Sequence, residues 1–159
     1  METFMKRPLI VLVLLSTLLT SPVFASDAIV LTIKGNNQVT ELTMNDLLQT
    51  SQESITTATP FFEGEMTFQG PALKTLLNQY GYDYAQITLT ALNDYSVTTD
   101  KGELTNLDPI LAIRQNAQPM SVRDKGPIWV MLPLTEQPEL NTPQYHRLMV
   151  WQLNRITLE

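Results

Sequence analysis

Apolar residues alternate with polar ones along most of this chain, and only two stretches follow the helical period. Ala28 to Lys34 (AIVLTIK) is apolar and β-branched, and Gly35-Asn36-Asn37 behind it is a turn signal, so Val39 to Leu42 returns as a partner strand. Thr43 stands three residues before Asp46, the spacing of a helix N-terminus. Ser54 to Thr59 reads as a strand stopped by Pro60, with Phe61 to Gly64 as a loop and Glu65 to Phe68 as a short strand. From Pro71 to Tyr80 the apolar positions 72, 73, 76, 77 and 80 mark a helix, with proline in its first turn and Gly81 just past its end. Further strands are expected over 86–92, 95–99, 110–114, 128–132 and 148–156, with a helical turn over 104–107 and a proline-containing loop over 133–143. Strands outnumber helices and the helices are short. The class is therefore α+β, with a mixed, mostly antiparallel sheet.

The N-terminus breaks this pattern. Lys6 and Arg7 precede an apolar run from Pro8 to Leu19, and Val23-Phe24-Ala25 places small residues before Ser26. That is the layout of a secretory signal peptide over residues 1–25, cleaved before Ser26. The run is shorter than the ~20 residues of a membrane span. The expected address is the periplasm, and residues 26–159 are expected to form one domain, long enough to bury a core.

Composition narrows the chemistry. The leader holds two of the ten basic residues and one of the sixteen acidic ones, so the remainder carries eight against fifteen. An acidic domain of this size is a poor match for nucleic acid. There is no cysteine, so no disulfide staple, thiolate nucleophile or thiolate metal ligand is available. His146 is the single histidine.

Three clusters carry candidate binding chemistry. Thr57 to Gly64 sets Phe61 and Phe62 side by side in a polar stretch, where they line a pocket or plug a sheet end. Asn93-Asp94-Tyr95 is a turn whose residues serve turn geometry, or whose Asp94 carboxylate accepts two parallel N–H bonds from an amino-amidine edge such as that of a pterin. Lys125-Gly126-Pro127-Ile128-Trp129 joins a glycine that lets backbone approach a ligand to an indole that offers a stacking face or fills the core. Arg147, beside His146, is available to an anionic group. The pattern leaves open which of Phe61, Phe62, Trp129 and Trp151 faces a pocket. No nucleophile elbow, phosphate loop or metal-binding helix occurs.

In order and spacing these segments resemble the sulfite oxidase-type molybdopterin-binding domain. Phe68-Gln69-Gly70-Pro71-Ala72-Leu73 through Leu77 is similar to its W/F-x-G-x-x-L-x-x-L-L segment, and Asp108 to Met120 to its LA-x-x-x-N-G-x-P-L strand and turn. Gly126 to Pro133 matches its G-x-P-x-R strand loosely, and Arg147 to Ile156 its R-x-V-K-W-L-x-x-I segment. Together they span about residues 28–158. The resemblance implies a cofactor held by a cysteine near Thr57 to Phe61 and by a lysine where this chain has Val150, and an arginine where it has Trp129. Without these groups the chain is similar to the small periplasmic pterin-binding regulators of the PruR type. That likeness implies a non-catalytic protein with no metal cofactor. It would bind a free pterin and partner the periplasmic domain of a membrane diguanylate cyclase or phosphodiesterase in cyclic-di-GMP signalling. The ligand residues it nominates are Thr59, Phe61, Asn93, Asp94, Tyr95, Lys125, Gly126, Trp129 and Arg147. The rival readings are a molybdopterin-dependent oxidoreductase and a ligand-free protein-interaction module. For the leader, the intact mass of exported protein is expected to match a chain beginning at Ser26; a mass that retains residues 1–25 would contradict cleavage.

Overall fold

The computed structural model describes residues 28–159, so the leader lies outside the described residues. Strands β1 (Ile29–Gly35) and β2 (Gln38–Thr43) form a hairpin closed by Asn36 and Asn37, both at positive φ, the two-residue turn that suits the strand twist. Thr43 then caps α1 (Met44–Gln49) through a reciprocal box. Its hydroxyl accepts from the Asp46 N–H at 3.2 Å, and the Asp46 carboxylate accepts from the Thr43 N–H at 2.8 Å. Next come β3 (Gln52–Thr59), β4 (Phe62–Pro71) and α2 (Leu73–Gln79), followed by β5 (Gln86–Ala91), β6 (Ser96–Asp100) and α3 (Lys101–Thr105). The chain continues through β7 (Ile110–Ala112), β8 (Arg114–Gln115), β9 (Gln118–Pro119), β10 (Trp129–Met131), α4 (Pro143–His146) and β11 (Leu153–Leu158).

The strands make three sheets. One has five strands in the order β2-β1-β11-β5-β6, in which only β1 and β11 are parallel neighbours. A second runs β3-β4-β8-β9, and β7 pairs with β10 in the third. The α+β class with mostly antiparallel strands and short helices is the class found. On the inner face of the five-stranded sheet Leu31, Ile33, Ile87, Leu89 and Ile156 are buried, and they join Leu47 of α1 and Leu73, Leu76 and Leu77 of α2 in one core.

The differences from the sequence reading have local causes. The β3–β4 turn is only Pro60-Phe61, and β4 takes up Phe62, Glu63 and Gly64, which the pattern assigned to a loop. A register shift between Ala58 and Thr59 lets Thr59 pair with Phe62 and leaves Glu63 and Gly64 as the extra residues of a bulge, with Gly64 at positive φ. The expected strand over 110–114 divides at Ile113: β7 joins β10, while β8 joins β4. The expected final strand begins five residues late. Leu148, Met149 and Val150 are buried outside any strand, and the last two turn their carbonyls towards β10: the Trp129 indole N–H donates to Met149 O at 3.0 Å and the Val130 N–H to Val150 O at 2.9 Å. Periodicity reads burial, and buried coil gives the same apolar signal as a strand. The proline-containing segment 133–143 also yields α4 from Pro143 on, a proline at the first helical position.

Gly70 is where β4 and β7 touch. A Cβ there would overlap the Leu111 carbonyl and crowd Ala112 Cα. Gly70→Ala is therefore expected to destabilise the protein by about 1–3 kcal/mol or more through overpacking against backbone, read as a lower denaturant midpoint. Gly102→Ala, with open space around the added atom, serves as the control.

Candidate functional site

At one end of the five-stranded sheet, β5 finishes at Ala91 and the chain turns through Leu92, Asn93 and Asp94 into β6. The Asp94 N–H donates to Ala91 O at 3.0 Å, and the Tyr95 N–H donates to Asn93 Oδ1 at 3.2 Å. This turn, the β3–β4 turn at Phe61, α4 and the coil 149–151 surround a half-open cleft of about 430 Å³. Aromatic groups form its main wall. Phe61 meets Trp151 edge-on at 5.4 Å between ring centroids and 76°, and lies 6.0 Å from His146. Met149, Val150, Ala91 and Pro143 add apolar surface, and Asn93, Tyr95, His146 and Arg147 supply the polar groups. The size and the mix of apolar wall with few polar groups are those of a small-molecule site.

The nominated residues divide. Phe61, Asn93, Tyr95 and Arg147 line the cleft. Thr59 is buried behind it, its hydroxyl accepting from the Phe61 N–H at 3.2 Å, so it shapes the turn that presents Phe61. Trp129 is also behind the wall: it is 1% exposed, its indole N–H donates to Met149 O at 3.0 Å, and its ring packs on Phe61, Phe62 and Phe68. It supports the stacking residues instead of stacking itself. Gly126 packs so closely on the Met120 carbonyl that a Cβ would overlap it, so its smallness serves the loop. Lys125 sits at φ 69° with its ammonium 5.5 Å from the Trp151 ring and 5.8 Å from Trp129, a cation–π clamp on the back of the wall. Asp94 stands apart, at φ 63°, its side chain 91% exposed and 3.8 Å from Arg155. The turn that directs Asn93 and Tyr95 inward sends Asp94 to solvent.

Trp151 and His146 are cleft residues that the sequence reading did not nominate. The sequence signal for Trp151 was its place straight after a buried apolar run, where the chain resurfaces. For His146 no local signal exists: α4 brings it in, and its Nε2 is 2.8 Å from Asn141 Oδ1.

Arg147 is already engaged. Its guanidinium lies 3.3 and 3.4 Å from the two Glu103 oxygens and 3.4 Å from Thr98 O. Glu103 also accepts from the Thr99 hydroxyl and, at 3.3 Å, from Gln144. These contacts, the Thr99 hydroxyl first, hold its carboxyl below the usual glutamate range, against the smaller opposing effect of burial. The network ties α3, α4 and the end of β6 to the cleft's one permanent cation.

A molybdenum-bearing cofactor does not fit these residues. The stretch where the resembling fold carries its thiolate is Thr57 to Phe61, and there the hydroxyls are committed: Thr57 donates to Ala58 O at 3.0 Å and accepts from the Thr135 N–H at 3.2 Å, while Thr59 holds Phe61. Val150, in the place of the lysine, is buried. Among the described residues no group of three or more His, Cys, Asp and Glu could hold a metal ion.

No family model matches this chain, and no curated protein matches it in sequence. Among solved structures it is similar in fold to the sulfane dehydrogenase SoxCD from Paracoccus pantotrophus, with a TM-score of 0.60 at 15% identity. The match covers 80% of this chain and 37% of that one, so the chain spans little over a third of the protein it resembles. The expected sulfite oxidase-type fold is thus the fold present.

Glu103 gives the site a pH signature. Its carboxyl pKa is lower folded than unfolded, so the stability it contributes is present above the unfolded value, near 4.3, and is lost as pH falls through the folded one. Denaturation midpoints of wild type and Glu103→Gln are expected to differ most above about pH 5 and to converge as the pH falls through the lowered folded value. A constant gap across that range would show that the charge is not what matters.

Proposed function

We propose that this protein is a non-catalytic pterin-binding sensor of the periplasm, which regulates a membrane diguanylate cyclase or phosphodiesterase through its periplasmic domain. The observation that carries the reading is the aromatic-walled cleft with polar groups gathered on one side. A pterin is a flat bicyclic ring with hydrogen-bonding groups along its pyrimidinone edge. Phe61 and Trp151 offer apolar faces to such a ring. Asn93 presents an amide donor beside an acceptor with one lone pair taken by Tyr95 N–H, which suits a neighbouring carbonyl and N–H. The Tyr95 hydroxyl and Arg147 stand along the same rim. In this reading Asn93 takes the edge-reading role that the sequence suggested for Asp94.

The absence of cysteine supports a ligand bound without a metal, and a pterin without its metal-bearing dithiolene needs no thiolate. The regulatory partner follows from the resemblance to the PruR-type regulators, and the leader supplies the address.

Calorimetric titration of the exported protein with an oxidised and a reduced pterin is expected to give one-to-one binding to at least one of them. Loss of a stacking face is worth roughly 1–3 kcal/mol, so Trp151→Ala should weaken binding at least about fivefold. Asn93→Ala should do the same, and Asp94→Ala should leave the affinity within about twofold. Saturable binding of neither pterin would leave a ligand-free interaction module. Stoichiometric molybdenum in the purified protein would instead make it an oxidoreductase.

A further inference from the structure

The residues that line the cleft include one permanent cation, Arg147, and no carboxylate. Left to itself, a guanidinium at the rim of an apolar cleft would make it a receptor for anions. Its surroundings work against that. The Arg147 side chain is drawn to α3, where the Glu103 oxygens lie 3.3 and 3.4 Å away, and it donates to Thr98 O of β6 at 3.4 Å.

Glu103 is itself fixed in place. It accepts from the Thr99 hydroxyl of β6 and from Gln144 of α4, besides Arg147. Those contacts, the Thr99 hydroxyl first, keep its carboxyl ionised below the usual glutamate range. Its side chain is 29% exposed, and it does not line the cleft. A carboxylate held from two further elements does not swing away when a ligand arrives. The countercharge of Arg147 therefore belongs to the protein and not to the ligand.

The other charges nearby do not restore the cation. The Lys125 ammonium lies over the rings of Trp129 and Trp151, and Arg155 is 3.8 Å from Asp94; none of these three charged groups lines the cleft. His146 does line it, and its Nε2 is 2.8 Å from Asn141 Oδ1.

We propose that Glu103 sets the charge preference of the cleft: by neutralising Arg147 it makes the site select a flat heterocycle with an uncharged side group over the same ring bearing an anionic one. An anion entering beside Arg147 gives up hydration, meets a pair whose charges cancel, and stands near Glu103 as a like charge. A hydroxyalkyl group meets none of these costs. Discrimination of this kind lies in what the site withholds from the wrong ligand. That the ring is a pterin rests on the sensor reading; the charge rule concerns the group the ring carries. Glu103 acts through Arg147, so it is a positioning residue.

The test is calorimetric titration at pH 7 with hydroxymethylpterin, which is uncharged, and with carboxypterin, which is anionic. The proteins are wild type, Glu103→Gln, and the double variant Glu103→Gln with Arg147→Gln. Wild type is expected to bind the hydroxymethyl compound at least about fivefold more tightly, and its weak affinity for the carboxylate should hardly respond to salt. Glu103→Gln should hold the hydroxymethyl compound within about twofold, yet bind the carboxylate at least about fivefold more tightly than wild type does. Added salt should erase that gain, and so should the second substitution, which removes the freed cation. A merely structural role for Glu103 would weaken both ligands together.

A wild type that prefers the carboxylate, or whose carboxylate binding falls steeply with salt, overturns the proposal whether or not the variants fold. So does a folded Glu103→Gln that keeps the wild-type ratio of the two affinities. In each of these cases the pterin reading stands. Binding of neither compound to wild type overturns the pterin reading and the charge rule with it.

Discussion

The site depends on one buried contact, the indole N–H of Trp129 donating to Met149 O at 3.0 Å. A buried indole needs an acceptor, and the acceptor here is a coil carbonyl. With the Val130 N–H bonded to Val150 O, it fastens residues 149–150 along β10. The chain leaves that attachment at Trp151, whose ring comes out at the cleft. Phe61 leans on the same indole from the β3–β4 turn, and Phe62 and Phe68 from within β4. The cleft wall is thus the outer layer of an aromatic stack rooted in the core. Close packing of this kind gives a binding surface rigidity that a loop alone would lack.

Much of the fold was legible because its determinants are local. The Asn36-Asn37 turn and the Thr43–Asp46 box follow from neighbouring residues and form as read, and the helix before Gly81 forms too, but over Leu73–Gln79, because Pro71, expected in its first turn, pairs with Gln52 as the last residue of β4. What was not legible depends on partners distant in sequence. Leu148 to Val150 looked like a strand because it is buried, while its N–H groups bond back to Tyr145, His146 and Leu148 and its last two carbonyls accept from β10, a geometry that no periodicity records. The division of residues 110–114 between two sheets is set by β4 and β10, and β4 is some forty residues away.

The site was legible by segment and not by residue. The three clusters do converge on one end of the molecule. Within each, though, side-chain direction depends on a backbone angle: the positive φ of Asp94 sends its carboxylate out while its neighbours turn in. Trp129 offered an aromatic face in sequence, and its burial on the far side of Phe61 could not be read from the chain. His146 joins the cleft only because α4 forms from Pro143 to His146, where no element was expected past the loop ending at Pro143.

The placement of β11 has a consequence for how the molecule comes into being. This strand, the last in the chain, lies in the middle of the five-stranded sheet, parallel to the first. Until residues 153–158 arrive, β2-β1 and β5-β6 are two separate hairpins with apolar faces and no common centre. Sheet assembly is therefore postponed until nearly the whole chain is available, and non-local closure of this kind is slow.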